Sequence, residues 1–102
     1  MRYRVSEDAT RDLQEIFLYW AKRANLQAAD RLMDGIVERF WLLGEYPDAG
    51  RTDEEIAVGV KCFAAGKYLI YYRKTRGRID ILHVFHGARN QGKAFQEIQK
   101  RF

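Results

Sequence analysis

The sequence predicts an α+β domain in which an N-terminal strand and a two-helix hairpin pack on a small antiparallel sheet, followed by a short C-terminal helix. Three observations predict it. Apolar residues recur at helical spacing through two consecutive runs in the first half of the chain. In the second half, β-branched and aromatic residues fill two alternating runs joined by a glycine-containing turn. The length of 102 residues, with one proline and 47% hydrophobic side chains, suits one compact domain over residues 1–102 and excludes disordered, collagenous and low-complexity chains.

Each element follows from its residues. Tyr3 and Val5 alternate with Arg2 and Arg4, the period of two that marks a short strand. Ser6 then offers a helix N-cap, with Glu7 and Asp8 placed to complement the positive end of the helix dipole. Leu13, Ile16, Phe17, Trp20 and Ala24 form one apolar stripe and leave Arg11, Asp12, Glu15, Lys22 and Arg23 in water. Asn25 breaks the pattern. A second helix follows in which Leu32, Ile36, Phe40 and Leu43 form a stripe that Met33, Val37 and Trp41 widen, so contact on two sides is expected. It ends near Gly44, and Pro47, Asp48 and Gly50 supply turn chemistry. Residues 52–58 read as an acidic loop leading into a strand over Val60–Ala64. Lys67–Arg73 and Arg78–His86 read as a hairpin about a turn at Lys74–Gly77, and Lys93–Arg101 as a terminal helix with Phe95 and Ile98 inward.

An antiparallel sheet with helices on one face normally alternates to polar residues on the other. Here Leu69 and Tyr71 oppose Tyr68, Ile70 and Tyr72. Strict alternation likewise places Ile79, Ile81, His83 and Phe85 against Asp80, Leu82, Val84 and His86. Both faces carry large apolar groups, so the face without helices is expected to lie open and to receive a partner.

The formal charge of +4 is unevenly spread: residues 1–58 hold 8 basic and 12 acidic side chains, and residues 59–102 hold 10 and 2. A cationic second half favours an anionic partner, either nucleic acid or an acidic protein segment. The single cysteine, Cys62, excludes an internal disulfide framework, reads as a small buried hydrophobe and suits a reducing cytoplasm. The N-terminus lacks the apolar core of a secretory signal. The longest apolar stretch, Ile16–Ala21, falls far below the ~20 residues of a membrane span, so a soluble cytoplasmic protein without a membrane partner is expected.

Glycine-rich phosphate loops, HExxH helices, nucleophile elbows and metal-spaced Cys/His sets are absent, so no cofactor or metal is expected. His83 and His86, three apart on a strand, face opposite sides and cannot share a metal. Two readings of His86 stand. It serves as acid or base in RNA cleavage with Arg89 stabilising the phosphorane charge, or it caps a strand end by hydrogen bonding. Arg73, Lys74, Arg76 and Arg78 surround the hairpin turn, either to meet an anion or simply as solvated charge. Lys61, Lys67 and Arg89 at strand ends are the better binding candidates. Tyr68, Tyr71 and Tyr72 suit base stacking or cross-strand packing.

Taken in order, several segments resemble the ParE branch of the RelE/ParE toxin superfamily: Tyr46-Pro47 before Gly50-Arg51; Gly59-Val60-Lys61-Cys62-Phe63; Gly66-Lys67-Tyr68-Leu69-Ile70-Tyr71-Tyr72-Arg73; and His86-Gly87-Ala88-Arg89-Asn90. The resemblance covers nearly the whole chain. It implies a type II toxin–antitoxin system and a RelE/ParE-like helical hairpin on an antiparallel sheet. The partner it implies is a cognate ParD-like antitoxin whose C-terminal segment wraps the toxin in a hetero-oligomer such as a heterotetramer, with DNA reached only through the antitoxin.

Nuclease members of the superfamily typically read His-Arg-Leu-Val-Tyr in the central strand, the arginine helping to hold the scissile phosphate. The matching stretch here is Lys67-Tyr68-Leu69-Ile70-Tyr71, with Tyr68 in the arginine's place. A neutral phenol cannot replace a guanidinium on a phosphate, where one lost charge-assisted contact costs on the order of 10²-fold in rate. The resemblance therefore implies a non-enzymatic inhibitor of DNA gyrase. The alternatives are a ribosome-dependent messenger-RNA endonuclease using His86, Arg89 and Tyr68, and an inactive toxin-fold module acting only in antitoxin-dependent operon repression. Lys61 stands where arginine is common and Asn90 replaces the usual aspartate. For the antitoxin, Lys61, Lys67 and Arg73 are expected to pair with carboxylates and Leu13, Phe17, Leu32 and Val37 to seat apolar anchors. Arg89, Lys93 and Arg101 are candidates for target contact.

Overall fold

A computed structural model describes residues 2–87. The elements are β1 (Arg2–Val5), α1 (Glu7–Arg23), α2 (Leu26–Glu45), β2 (Arg51–Thr52), β3 (Val60–Ala65), β4 (Tyr68–Thr75) and β5 (Arg78–His86). The sheet order is β1-β5-β4-β3-β2, with β1 parallel to β5 and every other pair antiparallel. The α+β architecture expected from the sequence is thus present. The terminal helix expected over Lys93–Arg101, together with Arg89, lies outside the described residues.

Local chemistry accounts for the joints. The Ser6 hydroxyl accepts from the Ala9 N–H at 3.0 Å as the α1 N-cap and donates to the Leu82 carbonyl at 3.0 Å, while its own N–H donates to the Ile81 carbonyl. One residue therefore ends a strand, starts a helix and fastens both to β5. Asn25 caps α2 by accepting from the Ala28 N–H at 2.7 Å, and so turns the break in the first stripe into a helical hairpin. Gly77, at φ +69°, supplies the left-handed residue that the β4–β5 turn requires.

The main core lies between the helices and the sheet. Ile36, Phe40 and Leu43 of α2 meet Ile70, Tyr72, Ile79 and Ile81, all at or below 1% exposure. Tyr3, Val5, Leu13, Ile16 and Leu32 pack around them, half-buried.

Two sequence expectations are corrected. Strict alternation along β5 fails because the register jumps from Tyr71↔His83 to Tyr72↔Ile81, leaving Leu82 as an extra residue. This bulge lets Ile79, Ile81 and Val84 all join the helix-side core, and His83 and Phe85, whose rings stack at 4.7 Å, leave the face that Ile79 and Ile81 occupy. The second correction concerns the face without helices, which is not open. Val60, Cys62, Tyr71 and Phe85 are 0, 4, 2 and 2% exposed, with Ile56 and Ala57 in the same cluster. The loop over residues 53–58 folds into turns fastened by Asp53 N–H to the Val60 carbonyl and Val60 N–H to the Ala57 carbonyl, which lays Ile56 and Ala57 on the sheet. The loop also begins beside a strand missed in the sequence: Arg51 and Thr52 pair with Cys62 and Lys61.

Candidate functional site

Two surfaces and one scattered set hold the residues that the sequence singles out. The first is a groove along the outside of the helical hairpin, lined by Leu13, Phe17, Leu18 and Met33 with Thr10 and Gln14 at its edge. Leu13 and Phe17 thus come together as expected. Leu32 instead packs into the core, half-buried. Val37, 40% exposed, lies on a separate face of α2 in a shallow hollow with Asp34, Glu38 and Trp41. Trp41 is 66% exposed and Leu18 58%. Sequence periodicity could have named Trp41 as more than a broadening of the core stripe, since it falls on the wet side of Phe40.

The second surface is a cleft of about 520 Å³ between α1 and the His86 end of the sheet. Trp20, Lys67, Tyr68 and His86 line it with Asp12 and Glu15. Tyr68 is 6% exposed; its hydroxyl accepts from the Trp20 indole N–H at 2.7 Å, and its ring stands edge-on to His86 at 5.4 Å. Asp12 closes the side of the cleft where β1 has ended. Its Oδ2 accepts the Val84 N–H at 3.0 Å and lies 2.7 Å from His83 Nδ1, so α1 satisfies the edge of β5 that has lost its neighbouring strand. Nothing in the pattern of α1 marks Asp12 for this task, because the partner lies 72 positions away. Among the described residues, no group of three His, Cys, Asp or Glu side chains is placed to hold a metal ion.

The third set, the candidate cations Lys61, Lys67 and Arg73, is not brought together on one surface. Lys61 lies on the helix side of the sheet, 3.8 Å from Asp48, where Lys74 also reaches the same carboxylate at 3.0 Å. The Lys74 hydrogen bond and charge, helped by Lys61, hold the Asp48 carboxyl below the usual carboxylate range. Arg73 points to the opposite face and donates to the Val58 carbonyl at 3.1 Å. Lys67 lies at the far end of β4, roughly 20 Å along the strand from Arg73 by residue count. Tyr72, read as a base-stacking or cross-strand candidate, is structural: its hydroxyl donates to the Pro47 carbonyl at 2.8 Å and accepts from the Gly50 N–H at 2.9 Å. Gly50 is required there, since a Cβ would sit 2.5 Å from that hydroxyl oxygen. Burial pushes the Tyr71 and Tyr72 phenols and the Cys62 thiol upward from their ordinary values.

This geometry, a helical hairpin on a five-strand mixed sheet, has relatives. Residues 3–91 match the family model described as the ParE toxin of the type II toxin–antitoxin system, parDE. The chain belongs to the ParE toxin family. A curated relative, Toxin ParE1 of Caulobacter vibrioides, is 33% identical over 91 residues, covering 86% of this chain and 91% of that protein. The fold is shared with a solved chain of a chromosomal ParDE toxin–antitoxin system from P. aeruginosa, with a TM-score of 0.74 and 22% identity over 84% of this chain and 95% of that one. As a ParE-type toxin, the protein is one half of a type II toxin–antitoxin system. Among its described residues no helix is long and apolar enough to cross a membrane.

Proposed function

We propose that this ParE-type toxin inhibits DNA gyrase in the cytoplasm and is neutralised by a cognate ParD-like antitoxin. The observation that carries the target assignment is Tyr68. Nuclease members of this superfamily typically carry a guanidinium at that position to help hold phosphate, whereas here a phenol turns into the cleft beside α1 and spends its hydroxyl on Trp20. Such a group offers no charge to a phosphorane. Arg89, Lys93 and Arg101 are the side chains proposed to contact the target.

Antitoxin capture is assigned to the hairpin groove. Leu13 and Phe17 form its floor with Met33; Val37, on a separate face of α2, would serve as an anchor only for a segment that reaches past the groove, and Leu32, packed on the core, is the least available of the four. Lys67, exposed at the cleft rim, is the cation readiest to pair with an antitoxin carboxylate. Lys61 and Arg73 would exchange Asp48 and the Val58 carbonyl for such partners, so they add less.

Purified toxin is expected to block gyrase supercoiling while leaving messages on translating ribosomes intact, with activity restored by antitoxin. Messages cut with supercoiling untouched would transfer the assignment to a nuclease centred on His86, Arg89 and Tyr68. Failure in both assays would leave an inert module acting through operon repression. Within the groove, Phe17→Ala should weaken antitoxin binding by about 2 kcal/mol, read by titration calorimetry, if Phe17 is an anchor.

A further inference from the structure

The strand order places together arginines that are far apart in sequence. Tyr3 and Val5 pack into the helix-side core, which turns the alternating Arg2 and Arg4 to the other face of β1. In the parallel register Arg2 stands beside Arg78 and Arg4 beside Asp80; in the antiparallel one Thr75 stands beside Arg78 and Arg73 beside Asp80. Two cross-strand rows result, Arg2–Arg78–Thr75 and Arg4–Asp80–Arg73, with Arg76 in the turn at their end. Neighbouring strands lie about 4.8 Å apart and same-face residues about 6.8 Å apart, so the two rows cover a patch roughly 10 Å across, with the Arg73 guanidinium held at its margin by the Val58 carbonyl. Arg2, Arg4, Arg73, Arg76 and Arg78 are all exposed. The one carboxylate within the rows, Asp80, is held by Arg78 Nε at 3.1 Å. Glu7 and Asp8 share the adjoining hollow with Arg4 and mark where the positive field stops.

We infer that this end of the sheet docks on the phosphate backbone of a nucleic acid without reading its sequence. Two features favour that ligand over an acidic protein segment. The rows contain arginine, threonine and aspartate and no apolar side chain, whereas a protein partner gains most of its affinity from desolvated apolar and aromatic anchors. Backbone binding needs only cations that displace counterions, and the guanidinium fork suits phosphate oxygens. Within the two rows no aromatic or apolar side chain is placed to probe a base, which makes the contact one of position rather than sequence. The toxin would therefore touch nucleic acid itself, in addition to whatever its antitoxin reaches.

The test measures fluorescence anisotropy of labelled 20-mers of duplex DNA, duplex RNA and single-stranded DNA with the purified full chain between 50 and 200 mM salt. Engagement of about four arginines gives a log–log slope between −3 and −4 and a loss of about 100-fold over that range. Replacing Arg2, Arg4 and Arg76 together by glutamine should lower the slope by about one per arginine, with circular dichroism reporting an unchanged fold. Lys22→Gln removes a charge from the far side of α1 and should leave the slope alone. Which nucleic acid binds best identifies the biological source. The inference is overturned if none binds at 50 mM salt, if the triple variant binds as the parent does, or if polyglutamate alone is bound. Gyrase is absent from the assay, so its outcome is separate from that of the target assignment.

Discussion

The two faces of the sheet are closed by different means. Beneath α1 and α2, stripes spaced by three and four meet strand residues spaced by two, and the contact is deep: Phe40, Leu43, Ile70, Tyr72, Ile79 and Ile81 are fully buried. Across the sheet, closure over Val60, Cys62, Tyr71 and Phe85 involves an irregular loop carrying one half-buried isoleucine and one alanine. Regular elements bury surface by periodicity, which a sequence displays. A loop does so by its path, which it does not.

If the comparison holds, Phe40→Ala should cost about 3–5 kcal/mol in urea unfolding, a large share of the ~5–15 kcal/mol typical of a domain. A loss under about 1 kcal/mol would move the main core elsewhere. Tyr72→Phe keeps the ring but orphans the Pro47 carbonyl and the Gly50 N–H, and should cost about 1–3 kcal/mol. Ile56→Ala on the loop should cost about 1 kcal/mol; equality with Phe40→Ala would make the two faces equivalent.

Alkali strains both faces at once, Tyr72 on the helix side and Tyr71 and Cys62 on the other. The folded state holds the Tyr71 and Tyr72 phenols above the ordinary 10.0 and the Cys62 thiol above the ordinary 9.0. Below those values both states keep the proton and stability is level. Above them the unfolded chain releases protons first, so stability should fall as pH rises past about 9, read from unfolding midpoints. The smallest effect is expected at Asp48, whose carboxylate is fully solvated: Asp48→Asn should shift the midpoint least, and any shift should vanish in high salt.

Much of the fold was legible in the residues. Ser6 marks both the end of a strand and the start of a helix, Gly77 marks a turn, and the run Leu32–Leu43 displays the stripe that α2 buries, whereas Leu13, Ile16, Phe17 and Trp20 end half-buried and Ala24 lies exposed beyond α1. The bulge at Leu82 was not legible, because either alternation of β5 places apolar groups on both faces. Only packing against Ile36 and Phe40 selects Ile81 together with Val84. Nor could local sequence reveal that Asp12 serves β5 or that the roof over Tyr71 includes residues 56 and 57. In the candidate site, helical spacing alone puts Leu13 and Phe17 on one face of α1, where both line the groove. Lys61, Lys67 and Arg73 were grouped by charge alone, and strand parity sends them to different places.

The parallel pairing of β1 with β5 has a temporal consequence. Among the described residues β1 pairs with β5 alone, the last described strand, and Ser6 bonds a carbonyl 76 positions later. At ~5–20 residues per second, a ribosome needs roughly 4 to 17 seconds to deliver residue 86, and until then α1 has α2 to pack on but not β5. A product cut short before β5 lacks the strand that joins β1 to β4 and, with it, the share of the core supplied by Ile79, Ile81 and Val84.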